Sequence, residues 1–500
     1  MREKLILIAG AGAAYSAALW GPFQFDDFAL LSDAVVQSPD GWWRCWMPGQ
    51  TRPLTWFSFW VNFQLHGAWA AGFHAVNWLL HLASVWVAHR ALSRILPEAV
   101  AFAAVAVFAV HPIQTEAVSY IFDRATLLMA LLCLVSLDAW LAGKPWRAAA
   151  WFVPALLAKE ECVTFPLFYL LLHVSMAGRR VERGPIAVML GCAAAAGVRV
   201  LAATSAIAGS GAGAQAGVSA GEYFLTQGVV LWRYLRLAMA PFGFSIEPPV
   251  AVTGGVLPVV GWLGVAALGV VAMRGFGQAR AGFWGIAALV WIAPSSSFLP
   301  AADLAADRRM YLPLLALGVV LGYFLRERPR WVVLALMGVW ISISVRQATV
   351  WTSAERLWGE ALYFAPDKVR PRIQLSRVLE NPEQRLALLA EAESIAPENA
   401  AVASEKGRVL LEAGRPAEAL AAFGKALGLA PDDAMAMNNR GVALAQLQQN
   451  EAARADFERA LEKDACLFDA RYNLLKLGKR TLPPVECRYT PEQQRLLAEK

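Results

Sequence analysis

Charged residues are scarce in this chain of 500 residues: Asp, Glu, Lys and Arg make up 17% of it, against roughly 25% in an average soluble domain. Hydrophobic residues make up 57% and the mean hydropathy is +0.44, which excludes a disordered chain and a single water-soluble globule. The six Cys are too few for a disulfide scaffold, and no C-x-x-C pair predicts a zinc site. The net charge of +6 does not indicate nucleic-acid binding, because the basic residues lie in short clusters between apolar runs. This composition predicts a membrane protein.

Apolar runs of spanning length recur up to Trp351 and are missing after it. A membrane-spanning helix needs about 20 apolar residues, or fewer when flanking side chains snorkel. The pattern predicts an all-α protein with a polytopic helical bundle over residues 1–350 and an extracytoplasmic domain over residues 351–500. We predict about eleven spans, near Leu5–Trp20, Gly72–Leu92, Ala99–Val110, Ala125–Ala142, Ala148–Ala158, Cys162–Ala177, Pro185–Ala203, Val256–Met273, Ala281–Ile292, Leu312–Leu325 and Trp331–Val345.

The orientation of these spans follows from Lys and Arg in the short connections, which mark the cytoplasmic side. With eleven spans, all five basic connections share one side only if Tyr223–Ala240, which carries two Arg, does not cross. We therefore interpret this segment as a re-entrant or surface-lying amphipathic helix. The long loops and the region after Val345 then face outward. Because the residue usage looks bacterial, we expect an inner-membrane protein with its site and repeats in the periplasm. The basic connections are His89–Arg94, Lys144–Arg147, Arg179–Arg183, Arg274–Arg280 and Arg326–Arg330.

Small and large residues recur every 34 positions in the last third of the chain, a period typical of the tetratricopeptide repeat. Such helical stacks usually present a concave surface to a peptide or partner, so we expect the repeats to bind an acceptor protein. The alternative is a scaffold that stabilises the membrane domain. Cys466 and Cys487 fall in the same outward-facing region, where a disulfide is plausible. The matching pairs are Gly407 and Gly441, Ala419 and Ala453, Phe423 and Phe457, and Ala426 and Ala460, with a degenerate third unit at Leu389, Ala392 and Pro397.

Four clusters of ionisable residues fall at span boundaries, where each charge at membrane depth costs at least ~2.5 kcal/mol and so needs a reason. In the predicted topology all four meet the outer face, which predicts one site there. The clusters are Phe25-Asp26-Asp27-Phe28, His111 to Glu116 with Asp123 and Arg124, Lys159-Glu160-Glu161, and Asp307 to Pro313 with Arg308 and Tyr311.

Asp26 and Asp27 are paired carboxylates between aromatic residues. Partial burial and like-charge repulsion would raise one pKa toward the range of a general base, and the pair could also bind a divalent cation. The alternative is that one of them caps a helix N-terminus.

Three cations in the other clusters, Arg124, Lys159 and Arg308, are candidates for holding an anionic phosphate, since Arg binds phosphate oxygens bidentately. Alternatively, Lys159 and Glu160 pair with neighbouring helices and Arg308 snorkels. His74, Asn77 and His81 share one face of the second span; we favour an interhelical hydrogen-bonding stripe there over a metal site.

As a set, these motifs resemble the transmembrane and tetratricopeptide-repeat O-mannosyltransferases of the GT-C class and their bacterial relatives. The resemblance implies a polyprenyl-phosphate sugar donor, a Ser or Thr hydroxyl as acceptor, inversion, and Asp26 or Asp27 as the base. Cations must already be in place to stabilise the departing phosphate, and Glu116 and Glu160 would orient them. This chain departs from the family pattern at two positions: Asp123 stands where the family commonly has Gly, and Asp307 where it usually has Glu. The matching stretches are Phe25-Asp26-Asp27, Arg52-Pro53-Leu54, Gly72 to Asn77 with His81, His111-Pro112 with Thr115 to Val118, Lys159-Glu160, and Arg308 with Tyr311-Leu312-Pro313.

Two other functions remain open at this point. One is a GT-C enzyme that glycosylates lipid or polysaccharide rather than protein. The other is a non-catalytic assembly factor that recruits partners through its repeats. A transporter is disfavoured, because the spans show no internal duplication and the charges gather at one surface instead of at a midplane site.

Overall fold

The structure is a computed structural model that describes residues 2–47, 50–176, 182–206, 217–277, 280–301, 303–484, 487 and 489–498. It forms two compact units: Met1–Leu31 with Pro39–Ser353, and Ser32–Ser38 with Ala354–Lys500. The sequence did not predict that the short segment Ser32–Ser38 groups with the second unit. In the described residues every regular element is a helix, as predicted. Arg179, Arg180 and most of the Gly/Ala/Ser-rich stretch near residue 210 lie outside the described ranges.

The α-helices are numbered in chain order. Up to Ser353 they are α1 Arg2–Tyr15, α2 Asp26–Ser32, α3 Ala34–Gln37, α4 Gly41–Arg44, α5 Pro53–His66, α6 Ala70–Leu92, α7 Glu98–Val110, α8 Thr115–Ser119, α9 Arg124–Leu141, α10 Pro145–Ala158, α11 Phe165–Ser175, α12 Arg183–Ala206, α13 Ala220–Met239, α14 Val256–Arg274, α15 Ala281–Ile292, α16 Tyr311–Leu325 and α17 Arg330–Val350. Between these α-helices lie the 3-10 helices Ser16–Trp20, Pro112–Gln114, Ile121–Asp123, Glu160–Thr164 and Asp307–Met310.

Five of these segments are long and apolar enough to cross a membrane, or six if the bent pair Glu98–Val110 and Pro112–Ser119 is one span. That is the pattern of a multi-pass membrane protein. Helices α10, α11 and α15 have only 14, 11 and 12 residues, so the count of eleven spans stays a prediction. The five segments are Ile121–Leu141, Arg183–Ala202, Val256–Arg274, Asp307–Leu325 and Arg330–Val350.

A proline causes the bend of 48° between α7 and α8. Pro112 has no N–H to continue the helix, and it forces the residue before it out of the helical region. His111 accordingly has an extended backbone, with φ −72° and ψ 131°. The chain restarts as a short 3-10 turn and then α8, so Glu116 lies on a second, redirected helix.

Helix α13 is the segment that the sequence predicted to be re-entrant or surface-lying. It starts at a capping box formed by Ser219 and Glu222. It packs closely against α14, because a Cβ atom on Gly261 would overlap the carbonyl oxygen of Gly228. The indole N–H of Trp232 donates to the carbonyl oxygen of Gly261 at 2.9 Å. Its 20 residues are not among the helices apolar enough to cross a membrane, but its placement in the bilayer stays a prediction.

The second unit is the predicted helical repeat array. Phe423 fills the space over Gly407, since a Cβ atom there would lie 2.7 Å from its ring, and Phe457 fills the space over Gly441 in the same way. The degenerate unit before them is the hairpin of α19 and α20. The helices are α18 Ala354–Phe364, α19 Val369–Val378, α20 Pro382–Ile395, α21 Ala400–Glu412, α22 Pro416–Leu429, α23 Ala434–Gln446, α24 Asn450–Lys463, α25 Phe468–Lys476 and α26 Pro491–Ala498.

The end of the array is closed by the C-terminal segment. Cys466 and Cys487 form a disulfide, a pairing that the sequence left open. Arg471 is buried and donates to the hydroxyl oxygens of Tyr489 and Thr481 and to two backbone carbonyls. These contacts hold the segment after α25 over the last repeat, as a capping element of a solenoid should.

Candidate functional site

One segment of five residues, Tyr120 to Arg124, connects most of the polar groups that the sequence singled out. Helix α8 ends at Ser119, Ile121–Asp123 forms a 3-10 turn, and α9 starts at Arg124. The amide of Asn77 on α6 holds this segment by donating to the carbonyl oxygens of Tyr120 and Ile121, at 3.0 and 3.3 Å. Because successive residues of a tight turn point in different directions, each can reach a different partner.

Asp26 and Asp27 face different environments. Asp27 is 1% exposed, and its carboxyl oxygens accept from the N–H groups of Gln24 and Phe122 at 2.9 and 3.0 Å. Burial raises the pKa of Asp27 to about 8, although those two N–H groups lower it in part. Asp26 is exposed, and its Oδ2 accepts from the hydroxyl of Tyr120 at 2.8 Å. Asp27 thus anchors the first loop to the turn, whereas Asp26 is the carboxylate of the pair that is open to solvent.

The prediction that Arg124 binds a phosphate requires a correction, because its guanidinium is fully buried and already has hydrogen-bond partners. It donates to the side-chain oxygens of Asn77 and Asn62, at 2.9 and 2.7 Å, and to the carbonyl oxygens of Phe73 and Ser58 at 3.0 and 3.2 Å. A donor phosphate has no access to these N–H groups. The predicted phosphate contact does not fit this geometry; Arg124 ties α9 to α5 and α6 instead.

Arg308 lies at the centre of a group of carboxylates. Its backbone N–H and its guanidinium donate to the two oxygens of Glu116, and the guanidinium also pairs with Asp303 at 3.0 Å. Asp123 lies 3.7 Å from its Nε. The carboxylates hold the cation in place before any ligand arrives. Asp303 is the most exposed of the three, so it is the partner that an incoming anion can replace most easily.

Lys159 and Arg52 provide two further cations nearby. The Lys159 ammonium donates to the hydroxyl of Thr126 at 2.9 Å and pairs with Glu161 at 3.0 Å. Arg52 forms a bidentate pair with Glu160, at 3.0 and 2.5 Å. Burial by itself would raise the pKa of Glu160, but Arg52 lowers it to about 2. Glu160 therefore orients Arg52. The partners of Arg52 and Lys159, Glu160 and Glu161, are consecutive residues, so the two cations lie close together.

The remaining predicted supporting residues hold the helices together. The His74 ring contacts the carbonyl oxygen of Gly21 at 3.0 Å, and the His81 ring contacts the Tyr311 hydroxyl at 2.7 Å. With Asn77 these contacts confirm the hydrogen-bonding interpretation of this face of α6. The remaining two, His111 and Asp307, both face α13: the His111 ring contacts the carbonyl oxygen of Ala238 at 3.2 Å and Asp307 pairs with Arg233.

An apolar cavity of about 520 Å³ lies between α13, α14, α15 and α16. Met310 belongs to its lining and ends the 3-10 helix Asp307–Met310 that also carries Arg308. The cavity therefore lies next to the 3-10 helix that carries Arg308. We refer to it as the apolar groove; its lining includes Leu231, Leu235, Leu268, Gly285, Leu289 and Leu317.

A metal site is not supported by the side chains that the structure describes, since no group of three or more His, Cys, Asp or Glu among them is arranged so that it could hold a metal ion. In the first loop, both carboxyl oxygens of Asp27 already accept hydrogen bonds from backbone N–H groups. The suggestion that Asp26 and Asp27 hold a divalent cation gains nothing from this arrangement.

Sequence reasoning missed several partners in this network. Tyr120 did not stand out among the many aromatic residues, and Asn62 is one of several polar residues on α5. Thr126 lies one turn into an apolar span, a position that a hydrogen-bonding role would explain. Arg233 gave a signal, because a cation on an apolar helix needs a partner, but no spacing rule pointed to Asp307.

Comparisons with known proteins find a repeat family and a group of transferases. The tetratricopeptide repeat family matches residues 404–465. A protein O-mannosyl-transferase of Caenorhabditis elegans is 35% identical over 156 residues, which are 27% of this chain and 22% of that protein. The mouse protein O-mannosyl-transferase TMTC1 is 33% identical over 193 residues, 32% of this chain and 20% of that protein. The match thus spans about a fifth of the length of each of these relatives.

Among solved structures, a tetratricopeptide-repeat protein of Thermus thermophilus is 20% identical with a TM-score of 0.24, covering 33% of this chain and 89% of that one. A MamA structure is 27% identical with a TM-score of 0.22, covering 25% of this chain and 79% of that one. Over its matched residues, this chain is homologous to the TMTC-type protein O-mannosyl-transferases and carries tetratricopeptide repeats.

Proposed function

We propose that this chain is an integral-membrane glycosyltransferase that moves a sugar, mannose or another hexose, from a polyprenyl-phosphate donor to Ser or Thr hydroxyls of secreted or envelope proteins. The observation that carries the proposal is the turn Tyr120–Arg124. It contacts an exposed carboxylate at one end, through Tyr120 and Asp26, and approaches Arg308 through Asp123. This turn therefore links an exposed carboxylate to a guanidinium, and we assign the roles of base and phosphate-binding cation to these two groups.

Asp26 is the group that we assign as the base, because Asp27 is buried and holds its proton near neutral pH. Asp26 takes the proton of the acceptor hydroxyl while that oxygen attacks the anomeric carbon from the face opposite the phosphate. The bond to the phosphate oxygen breaks in the same step, so the configuration inverts. General-base assistance of this kind contributes about 10²–10⁴-fold.

Arg308 and Lys159 are the cations that we assign to the departing phosphate, and Arg52 supports them through Glu160. Charge that is positioned beforehand stabilises the developing anion without a cost of reorganisation during the reaction. The apolar groove beside Arg308 matches the polyprenyl tail in chemistry. We place this site on the periplasmic side, with the repeats binding the acceptor protein.

The test is transfer from a lipid-linked hexose to a Ser/Thr peptide by the full chain in liposomes. Asp26→Asn should lower transfer at least about 100-fold, whereas Asp40→Asn, an exposed acid of the same loop that pairs with Arg44, should keep it. Loss of activity in Asp27→Asn but not in Asp26→Asn would move the base to Asp27. No transfer by the unaltered chain from any lipid-linked hexose, with lost sugar on lipid or polysaccharide in a deletion strain, would overturn the acceptor class.

A further inference from the structure

Tyr120 makes two hydrogen bonds to the residue that the proposed function assigns as base. Its hydroxyl donates to Oδ2 of Asp26 at 2.8 Å and accepts from the backbone N–H of Asp26 at 3.3 Å. A phenol has one proton, so these two contacts use it as donor and as acceptor at once. Among the residues that the structure describes, Oδ1 of Asp26 has no such partner and is the oxygen left for a substrate.

The phenol that makes these contacts is itself fixed. Tyr120 is 5% exposed, and its ring centroid lies 5.6 Å from that of Phe25 and 5.9 Å from that of Trp351. Asn77 holds its carbonyl oxygen. A hydroxyl on a packed ring can orient a neighbour, because little rotational freedom is left to lose when the bond forms.

The loop that carries Asp26 needs such a fixed point. Phe25 has φ +45°, in the left-handed region where a residue with a Cβ atom is strained. Strain of this kind costs about 1–3 kcal/mol and persists only where surrounding contacts hold it. The two bonds between Tyr120 and Asp26, and the two that the Asp27 carboxyl accepts from backbone N–H groups, surround this residue and hold the turn.

We propose that Tyr120 is a positioning residue for the transfer reaction: it fixes the Asp26 carboxylate so that Oδ1 faces the acceptor hydroxyl. This inference rests on the proposed function. The acceptor proton moves to Asp26, and Tyr120 keeps its own proton throughout. Burial raises the pKa of the Tyr120 phenol far above its ordinary value, so the phenol does not serve as the base.

Tyr120→Phe removes the hydroxyl and keeps the ring contacts, so the fold should survive. With a lipid-linked hexose and a Ser/Thr peptide, kcat should fall about 10-fold or more, the effect of losing a hydrogen bond to a charged group. KM for both substrates should stay within about twofold. The matched control is Tyr169→Phe, another buried tyrosine whose hydroxyl bonds only within the bundle, to Ser136 at 2.7 Å; it should keep wild-type kcat.

A double variant separates positioning from a general structural role. If Tyr120 acts through Asp26, adding Tyr120→Phe to Asp26→Asn should cause no further loss. A kcat of Tyr120→Phe equal to that of the unaltered chain, or a full additional loss in the double variant, overturns the inference while leaving the proposed function intact. An unaltered chain without any transfer activity would instead overturn the proposed function.

Discussion

Arg308 donates to both oxygens of Glu116, a residue 192 positions earlier in the chain, once through its backbone N–H and once through its guanidinium. The pair joins the redirected helix after Pro112 to the start of α16. Because a carboxylate holds the cation from two sides, the guanidinium is oriented before a substrate binds. This is the condition under which a positive charge contributes most to a departing anion.

Arg308→Gln should therefore lower transfer by about 100-fold or more, within the range seen when one stabilising donor is removed. The assay is initial rate with a lipid-linked hexose. Arg326→Gln serves as control, since Arg326 is exposed and pairs with its neighbour Glu327. Equal rates for both variants would remove Arg308 from the phosphate site.

Arg124→Met should act on stability instead. The substitution leaves the oxygens of Asn62 and Asn77 buried without a donor, and breaking a buried charged network typically costs about 3–5 kcal/mol. The measurement is the unfolding midpoint of the full chain in detergent, next to that of Arg326→Gln, which should change less because Arg326 is exposed. A fully stable Arg124→Met protein that no longer binds the donor would restore Arg124 to the phosphate site.

Asp27 should make stability depend on pH. Its pKa rises from an ordinary value of 3.8 to about 8 in the folded chain, so the folded state holds a proton that the unfolded state releases. Stability should then decline as pH rises from about 4 to about 8 and level off above that range. In Asp27→Asn the decline should be smaller, whereas Asp40→Asn should keep it. The measurement is the unfolding midpoint of the unaltered chain and the two variants at several pH values across that range. The same dependence of the midpoint on pH in all three proteins would contradict the burial argument.

Gly285→Leu should narrow the apolar groove. A Cβ atom there has room, since its nearest neighbour is the Cβ atom of Ala272 at 3.4 Å, but a larger side chain occupies space that a polyprenyl chain would fill. KM for a long-chain donor should rise by about tenfold, with a smaller change for a short-chain donor. An unchanged ratio between the two donors would place the lipid elsewhere.

Alanine substitutions at two glycines of one repeat should change the stability of the repeats in opposite directions. A Cβ atom at Gly407 would collide with the ring of Phe423, whereas nothing lies within 4 Å of one at Gly424. Gly407→Ala should destabilise the repeats by about 1–3 kcal/mol, and Gly424→Ala should stabilise its helix by up to about 1 kcal/mol. Thermal unfolding followed by circular dichroism tests both; the same sign for both variants would contradict the packing described for this unit.

The repeats were predictable in detail because their rule is local. A period of 34 residues places Gly407 and Phe423 within one hairpin, and the sequence contains all that the contact needs. The polar clusters were predictable as a set, since charges in an apolar chain are conspicuous. Their partners were not: Arg124 carries the same charge as Arg308, and only the fold shows that four buried oxygens already occupy it.

The separate roles of Asp26 and Asp27 were likewise beyond the sequence. They are neighbours of the same type, and their difference arises from the strained backbone at Phe25 and from the turn at Phe122, which is 95 positions away from Asp27. Contacts of such separation depend on the whole arrangement of helices, which periodicity alone does not fix. The number of spans is open for a related reason: short helices such as α11 satisfy the hydropathy pattern without the length of a full crossing.

Gly228 and Gly261 bring α13 and α14 together backbone to backbone, with the indoles of Trp232 and Trp262 each bonded to a carbonyl of the opposite helix. Both helices line the apolar groove. A methyl group at either glycine would overlap the backbone of the other helix and push α14 away from α13. The width of the apolar groove therefore depends on the absence of a side chain at both glycines, and even a small apolar substitution there would change it.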